Sequence, residues 1–168
     1  RGDRLRNISR RAVRFAASLL TRRPAPRAGG WTISTITRFA EHHEPFIADA
    51  LSQFDLVADR SISYLNWRFC DRRAGPFTVR LAEQGGEPIG YAVTRVLDGA
   101  AYLADILVRP GNLPVAEALV RDSIGLASEA GADSLITRLP RRHPYRRALA
   151  RTGFFDRGHI AGELFNHQ

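Results

Sequence analysis

The stretch FTVRLAEQGGEPIGYAVTRVLDGAAYLADILVRPGNLP, residues Phe77–Pro114, decides the fold. Phe77 to Ala82 reads as a strand, and Gln84-Gly85-Gly86-Glu87 as a hairpin turn. Ile89 to Val96 is a second strand, and Asp98-Gly99 turns the chain into a third, Tyr102 to Val108. So short a connection predicts that the second and third strands are antiparallel neighbours. Pro114 then opens a helix that runs to Ala130-Gly131, where the glycine suits a C-terminal cap. Downstream, Ser134 to Leu139 reads as a buried strand, Pro144 opens a short helix that stops at Gly153, and Phe154-Phe155 and Glu163-Leu164-Phe165 can supply the last strands. Upstream, Trp31 to Ile36 alternates and is rich in β-branched residues, as a strand requires. Pro45 can start a helix with Ile47, Ala50, Leu51 and Phe54 on one face, and Asp59 or Ser61 can cap another over Ile62 to Phe69.

Composition narrows the class. A chain of 168 residues with 44% hydrophobic and 25% charged residues can bury one domain core plus a short appendage. No apolar run approaches the roughly 20 residues that cross a bilayer. The single cysteine, Cys70, excludes an internal disulfide, suits a reducing, cytoplasmic setting, and reads as a passive buried thiol. Every cationic residue is arginine, which fits codon bias better than chemistry. There is no methionine, so the expectation is a piece of a longer polypeptide or a processed form.

Residues 1–27 hold nine arginines and one acid, a charge of +8, while the remainder holds sixteen of each and sums to zero. The expectation is that any basic partner surface belongs to this leader and not to the body. Leu5, Ile8, Ala12, Phe15, Ala16 and Leu19 follow helical spacing, with Arg4, Arg10, Arg11 and Arg14 largely off that face. Pro24, Pro26, Gly29 and Gly30 then make a linker, so residues 1–30 form a basic amphipathic helix and linker and residues 31–168 the domain. A helix docked on an upstream domain of the same polypeptide is the first reading. An anionic membrane surface and a nucleic-acid arm come next, and a transit peptide last.

The order of these pieces resembles the GCN5-related N-acetyltransferase (GNAT) family, over roughly residues 31–166. The matching residues are Gly90-Tyr91 in the strand after a hairpin, Leu107-Val108-x-Pro110 closing another, and Gly131-Ala132-Asp133 leading into a strand. The short helix ending Thr152-Gly153-Phe154 and the segment Tyr64 to Phe69 match as well. The resemblance implies an α/β fold: a mixed, mostly antiparallel sheet with helices on both faces, splayed between its middle strands to hold acyl-coenzyme A. It also implies transfer of an acyl group from acetyl-CoA, or another acyl-CoA, to a small amine acceptor.

The residues that would bind the cofactor are Val108, Arg109, Gly111, Asn112, Val115 and Ala116. A phosphate site uses backbone N–H groups at a helix N-terminus, with glycines that let the ligand approach. Here only Gly111 appears, Pro114 has no N–H, Leu119 follows Val108 by only eleven residues, and Glu117 adds negative charge in or near the first turn. The loop therefore reads as degenerate. For acid–base chemistry the family pattern points to Asp105 on the strand before the loop, whose alternative is an arginine's partner. The family's tyrosine position, four residues before Gly-Phe, is Leu149 here, which leaves Tyr145 and His143 as nearby substitutes. His143-Pro144 also suits a helix start. Trp67, Tyr64 and Tyr91 could line an acceptor cleft or be core. His42-His43 lack companions at metal spacing, so no metal site is expected. The sequence thus reads as an acetyltransferase-like domain with a degenerate phosphate loop, non-catalytic or weakly CoA-binding. The alternative is an active N-acyltransferase.

Overall fold

The computed structural model describes residues 30–55, 58–140 and 142–155. Among the described residues five strands form one sheet in the order β1-β2-β3-β4-β5: β1 Trp31–Ile36, β2 Phe77–Gln84, β3 Glu87–Leu97, β4 Ala100–Val108 and β5 Leu135–Ile136. The first four are antiparallel neighbours, and β5 alone runs parallel to its neighbour β4. The α-helices are α1 Glu44–Leu51, α2 Ile62–Leu65, α3 Leu113–Glu129 and α4 Arg146–Arg151. The mixed, mostly antiparallel α/β sheet is therefore as expected.

Both hairpins form where the glycines stand. Gly85 and Gly86 have φ of 60° and 85°, and Asp98 and Gly99 have φ of 50° and 77°. Positive φ at both central residues matches the right-handed twist of paired strands. Pro114 sits in the first turn of α3, and Gly131 at φ 73° follows its end.

Each sheet face buries its own core. On one side, α3 and α4 place Val115, Leu119, Val120, Ala148 and Leu149 against Ala82, Ile89, Ala92 and Ile106. On the other, α1, α2 and the turn that follows α2 place Phe46, Ile47, Ala50, Leu65 and Phe69 against Val79, Leu81, Tyr91, Val93 and Leu107. Gly90 allows the close approach of α3, because a Cβ there would lie 3.1 Å from each of Leu119, Val108 and Val115.

A bulge in β4 sets which side chains reach which face. Val93 stands opposite Asp105 but Thr94 opposite Leu103, so Ala104 is the extra residue. Leu103, Ile106 and Val108 consequently share the α3 face, and Asp105 turns with Leu107 toward Tyr91.

Three local expectations need correction. The strand over Ser134–Leu139 is only Leu135–Ile136 and is half-buried to exposed, because the chain leaves β4 after Ile136. Phe154-Phe155 forms no strand, and Phe155 is exposed. The helix over Ile62–Phe69 is α-helical only to Leu65 and continues as a π-turn, Asn66–Cys70. Within that turn the Asn66 side chain accepts from Phe39 N (2.8 Å) and donates to Phe39 O (2.9 Å), tying the turn to the segment that follows β1. The leader helix over roughly residues 3–22, the linker up to residue 29, and Glu163-Leu164-Phe165 lie outside the described residues.

Candidate functional site

β4 is paired with β3 from Ala100 to Val108, interrupted only at Ala104. Its outer edge pairs with β5 at two positions, Ala101 with Leu135 and Tyr102 with Ile136. Beyond them the strands diverge around a cleft of about 230 Å³, whose lining includes Phe54, Arg60, Asp105, Thr137, Arg138 and His143.

Unpaired strand groups beside a cleft need partners, and here side chains supply them. Thr137 Oγ1 donates to the Leu103 carbonyl at 3.1 Å. Ile106 N–H donates to Asp105 Oδ1 at 3.0 Å. At Val108 the Tyr145 hydroxyl does both jobs, accepting from the N–H at 2.8 Å and donating to the carbonyl at 2.9 Å. Gln53 Nε2 reaches the same carbonyl at 2.8 Å and the Tyr145 oxygen at 3.0 Å. Burial pushes the Tyr145 pKa up to about 12, so its proton stays in place at neutral pH.

Asp105 is equally engaged. Arg60 holds it with two bonds, Nη2 to Oδ1 at 2.7 Å and Nε to Oδ2 at 3.2 Å. The buried Tyr91 hydroxyl donates to Oδ2 at 2.8 Å. With Ile106 N–H, the carboxylate accepts four hydrogen bonds. Burial and the neighbouring carboxylate both push the Tyr91 pKa well above its ordinary value. Beside this cluster, His143 Nδ1 accepts from Tyr145 N at 3.3 Å. Burial, then the Arg60 charge, lowers the His143 pKa, which favours a neutral ring with its proton on Nε2.

The loop into α3 has few free donors. Asn112 O receives both Val115 N–H (3.1 Å) and Ala116 N–H (3.3 Å), and the side chains of Val115 and Ala116 are buried. Pro114 has no N–H, which leaves that of Leu113 among helix positions 113–116. Gly111 is open, at φ 76° with nothing near its missing Cβ. Arg109 leans back, Nε to Pro88 O at 3.3 Å and 4.0 Å from Asp49. Glu117 lies beyond the first turn and is paired with Arg151 at 3.0 Å and Arg121 at 3.5 Å, so its charge is already compensated. Among helix positions 113–116 the Leu113 N–H is therefore the one donor left for a phosphate, and the Val108 groups on the outer edge of β4 are engaged by Tyr145 and Gln53.

Of the site residues read from the sequence, Asp105 lines the cleft, Tyr145 is buried in the core with its hydroxyl on Val108, and Val115 and Ala116 face the same core. Tyr91 is core apart from its hydroxyl, and Trp67 is 63% exposed beside Tyr64. Burial pushes the Cys70 thiol up. No group of three or more potential metal ligands occurs among the described residues. Arg60, Gln53 and Thr137 were not singled out by sequence reasoning. Nothing in their neighbourhoods marks them, because their partners lie 45, 55 and 34 residues away.

No family model and no curated protein sequence matches this chain. Solved structures do. A ribosomal-protein-alanine N-acetyltransferase from Brucella melitensis biovar Abortus 2308 superposes with a TM-score of 0.63 at 19% identity, covering 83% of this chain and 100% of that one. The aminoglycoside N-acetyltransferase AAC(6′)-Iy in complex with CoA gives 0.59 at 15% identity, over 85% and 97%. Glucosamine-6-phosphate N-acetyltransferase from Arabidopsis thaliana gives 0.58 at 12% identity, over 82% and 100%. The chain has the GNAT fold.

Proposed function

We propose that this is an acetyltransferase-like domain that does not transfer acyl groups, binds acyl-CoA weakly, and serves within a longer polypeptide in a reducing, cytoplasmic setting. The observation that carries this reading is the Tyr145 hydroxyl bonded to both the N–H and the carbonyl of Val108. The engaged Val115 and Ala116 N–H groups and the saturated Asp105 support it. Titration of the full chain with acetyl-CoA by calorimetry is expected to give a Kd in the high-micromolar range or weaker, about −5 to −6 kcal/mol. Sub-micromolar binding, or acetyl-CoA consumption with an amine acceptor, defeats it.

A second reading, an active N-acyltransferase acting on an amine, is favoured by one observation. The cleft keeps Asp105, Arg60 and His143 together beside β4. It requires Tyr145 to leave Val108, and Asp105 to give up at least one of its four hydrogen bonds before it could take a proton.

A further inference from the structure

We propose that the cleft between β4 and residues Thr137–Pro140 and His143 binds a small monocarboxylate with an apolar body, held at its mouth by Arg138 and His143. The charges motivate this. Two guanidiniums, Arg60 and Arg138, and one carboxylate, Asp105, line the cleft, so it is one negative charge short. Arg60 and Asp105 spend their charge on each other. Arg138 has no hydrogen-bond or ion-pair partner among the described residues and stands exposed. His143 has its Nδ1 occupied by Tyr145 N, which leaves Nε2–H as a donor. A planar guanidinium binds a carboxylate through two parallel bonds, and a neutral imidazole N–H can add a third. Phe54, Leu103, Ile106 and Leu139 supply the apolar part of the walls, about half of the lining. At about 230 Å³ the space is below the roughly 300–1,000 Å³ of drug-sized sites, so it suits a ligand of fragment size.

The inference is independent of whether Tyr145 yields to acyl-CoA. Benzoate and its neutral isostere benzamide are the probes, titrated into the full chain and followed by the His143 imidazole proton resonances. Saturable benzoate binding is expected, with His143 shifting and benzamide at least about tenfold weaker, a difference of about 1.4 kcal/mol. Arg138→Gln, at an exposed position, should weaken benzoate by about tenfold and leave the thermal midpoint unchanged. His143→Gln should abolish part of the remaining preference for benzoate over benzamide. Equal binding of both probes, benzoate affinity unaltered in Arg138→Gln, or no saturation at about 10 mM overturns the proposal. Acetyl-CoA titrated separately reports on the functional reading above, so the two can fail independently.

Discussion

The two edges of β4 satisfy the same backbone chemistry by different means. The inner edge is completed by a strand next to it in sequence, across a two-residue turn. The outer edge has two strand pairs, and then depends on Thr137, Asp105, Tyr145 and Gln53. A ladder is made of equivalent bonds and tolerates the loss of one side chain. A side-chain cap concentrates several backbone groups on one residue. Substitutions along the outer edge should therefore cost more than their contact area suggests.

The largest effect is expected at Asp105. Asp105→Ala leaves Arg60 without its partner and Tyr91 without its acceptor, in a pair whose side chains are 18% and 10% exposed. Removing one member of such a pair costs about 3 kcal/mol or more, a fall in Tm of roughly 6–12 °C at this chain size. Thermal unfolding measures it, and the Arg60→Ala, Asp105→Ala double mutant should recover part of the loss. A drop under about 1 kcal/mol would mean that the cluster does not hold the bulged strand together.

Tyr145 comes next, with a pH signature. Its folded pKa of about 12 lies above the unfolded value near 10. Its contribution is therefore fully present below pH 10 and is lost as pH rises toward 12, because the unfolded chain gives up the proton first. The two-unit difference corresponds to on the order of 2–3 kcal/mol. Tyr145→Phe should lower stability at pH 7 by about 1–3 kcal/mol by stranding the Val108 N–H and leaving its carbonyl to Gln53 alone. It should also flatten the decline between pH 10 and 12 seen in urea titrations, leaving the part due to Tyr91. If acyl-CoA competes for the β4 edge, this variant should bind it more tightly than the parent; unchanged affinity would show that Tyr145 is not what excludes it.

The same contrast marks what could be read in advance. Both hairpins, the helix start at Pro114, the cap at Gly131 and the antiparallel pairing of β3 with β4 are written in turn residues and apolar periods a few positions apart. The two-residue length of β5 is not, because it depends on Tyr145 and Thr137 replacing a strand partner. Asp105 was legible as a polar residue in an apolar strand. Its partner Arg60 was not, since only the fold brings a residue 45 positions away onto the bulge. The charge within the body is unevenly spread. Residues 134–155 contain six arginines and no acid, so the body sums to zero only over its whole length.

A smaller effect tests the inner edge and the helix that covers it. Gly90→Ala places a Cβ 3.1 Å from Leu119, Val108 and Val115 at once. Overpacking of this kind costs about 1–3 kcal/mol, and Leu119→Val in the same chain should relieve part of it. Urea midpoints of the single and double variants decide the matter. An additive double variant would show that α3 does not rest on Gly90.

The smallest effect is expected at Glu117. Placed near the start of α3, its charge looked repulsive to a phosphate, and its neutralisation looked favourable for acyl-CoA. The geometry adds partners that the sequence did not show. The carboxylate is bonded to Arg151 at 3.0 Å and lies 3.5 Å from Arg121, one turn along the helix. Glu117→Gln would free two guanidiniums as well as remove one negative charge. The Arg151 side chain is 49% exposed and Arg121 27% exposed, so solvent screens both pairs and the stability loss should stay below about 1 kcal/mol. Acetyl-CoA affinity, read by calorimetry at low and moderate salt, should change by less than about threefold, since the helix end still offers only the Leu113 N–H. A tenfold gain that disappears with added salt would show that charge at α3, rather than the side chains along the outer edge of β4, limits binding.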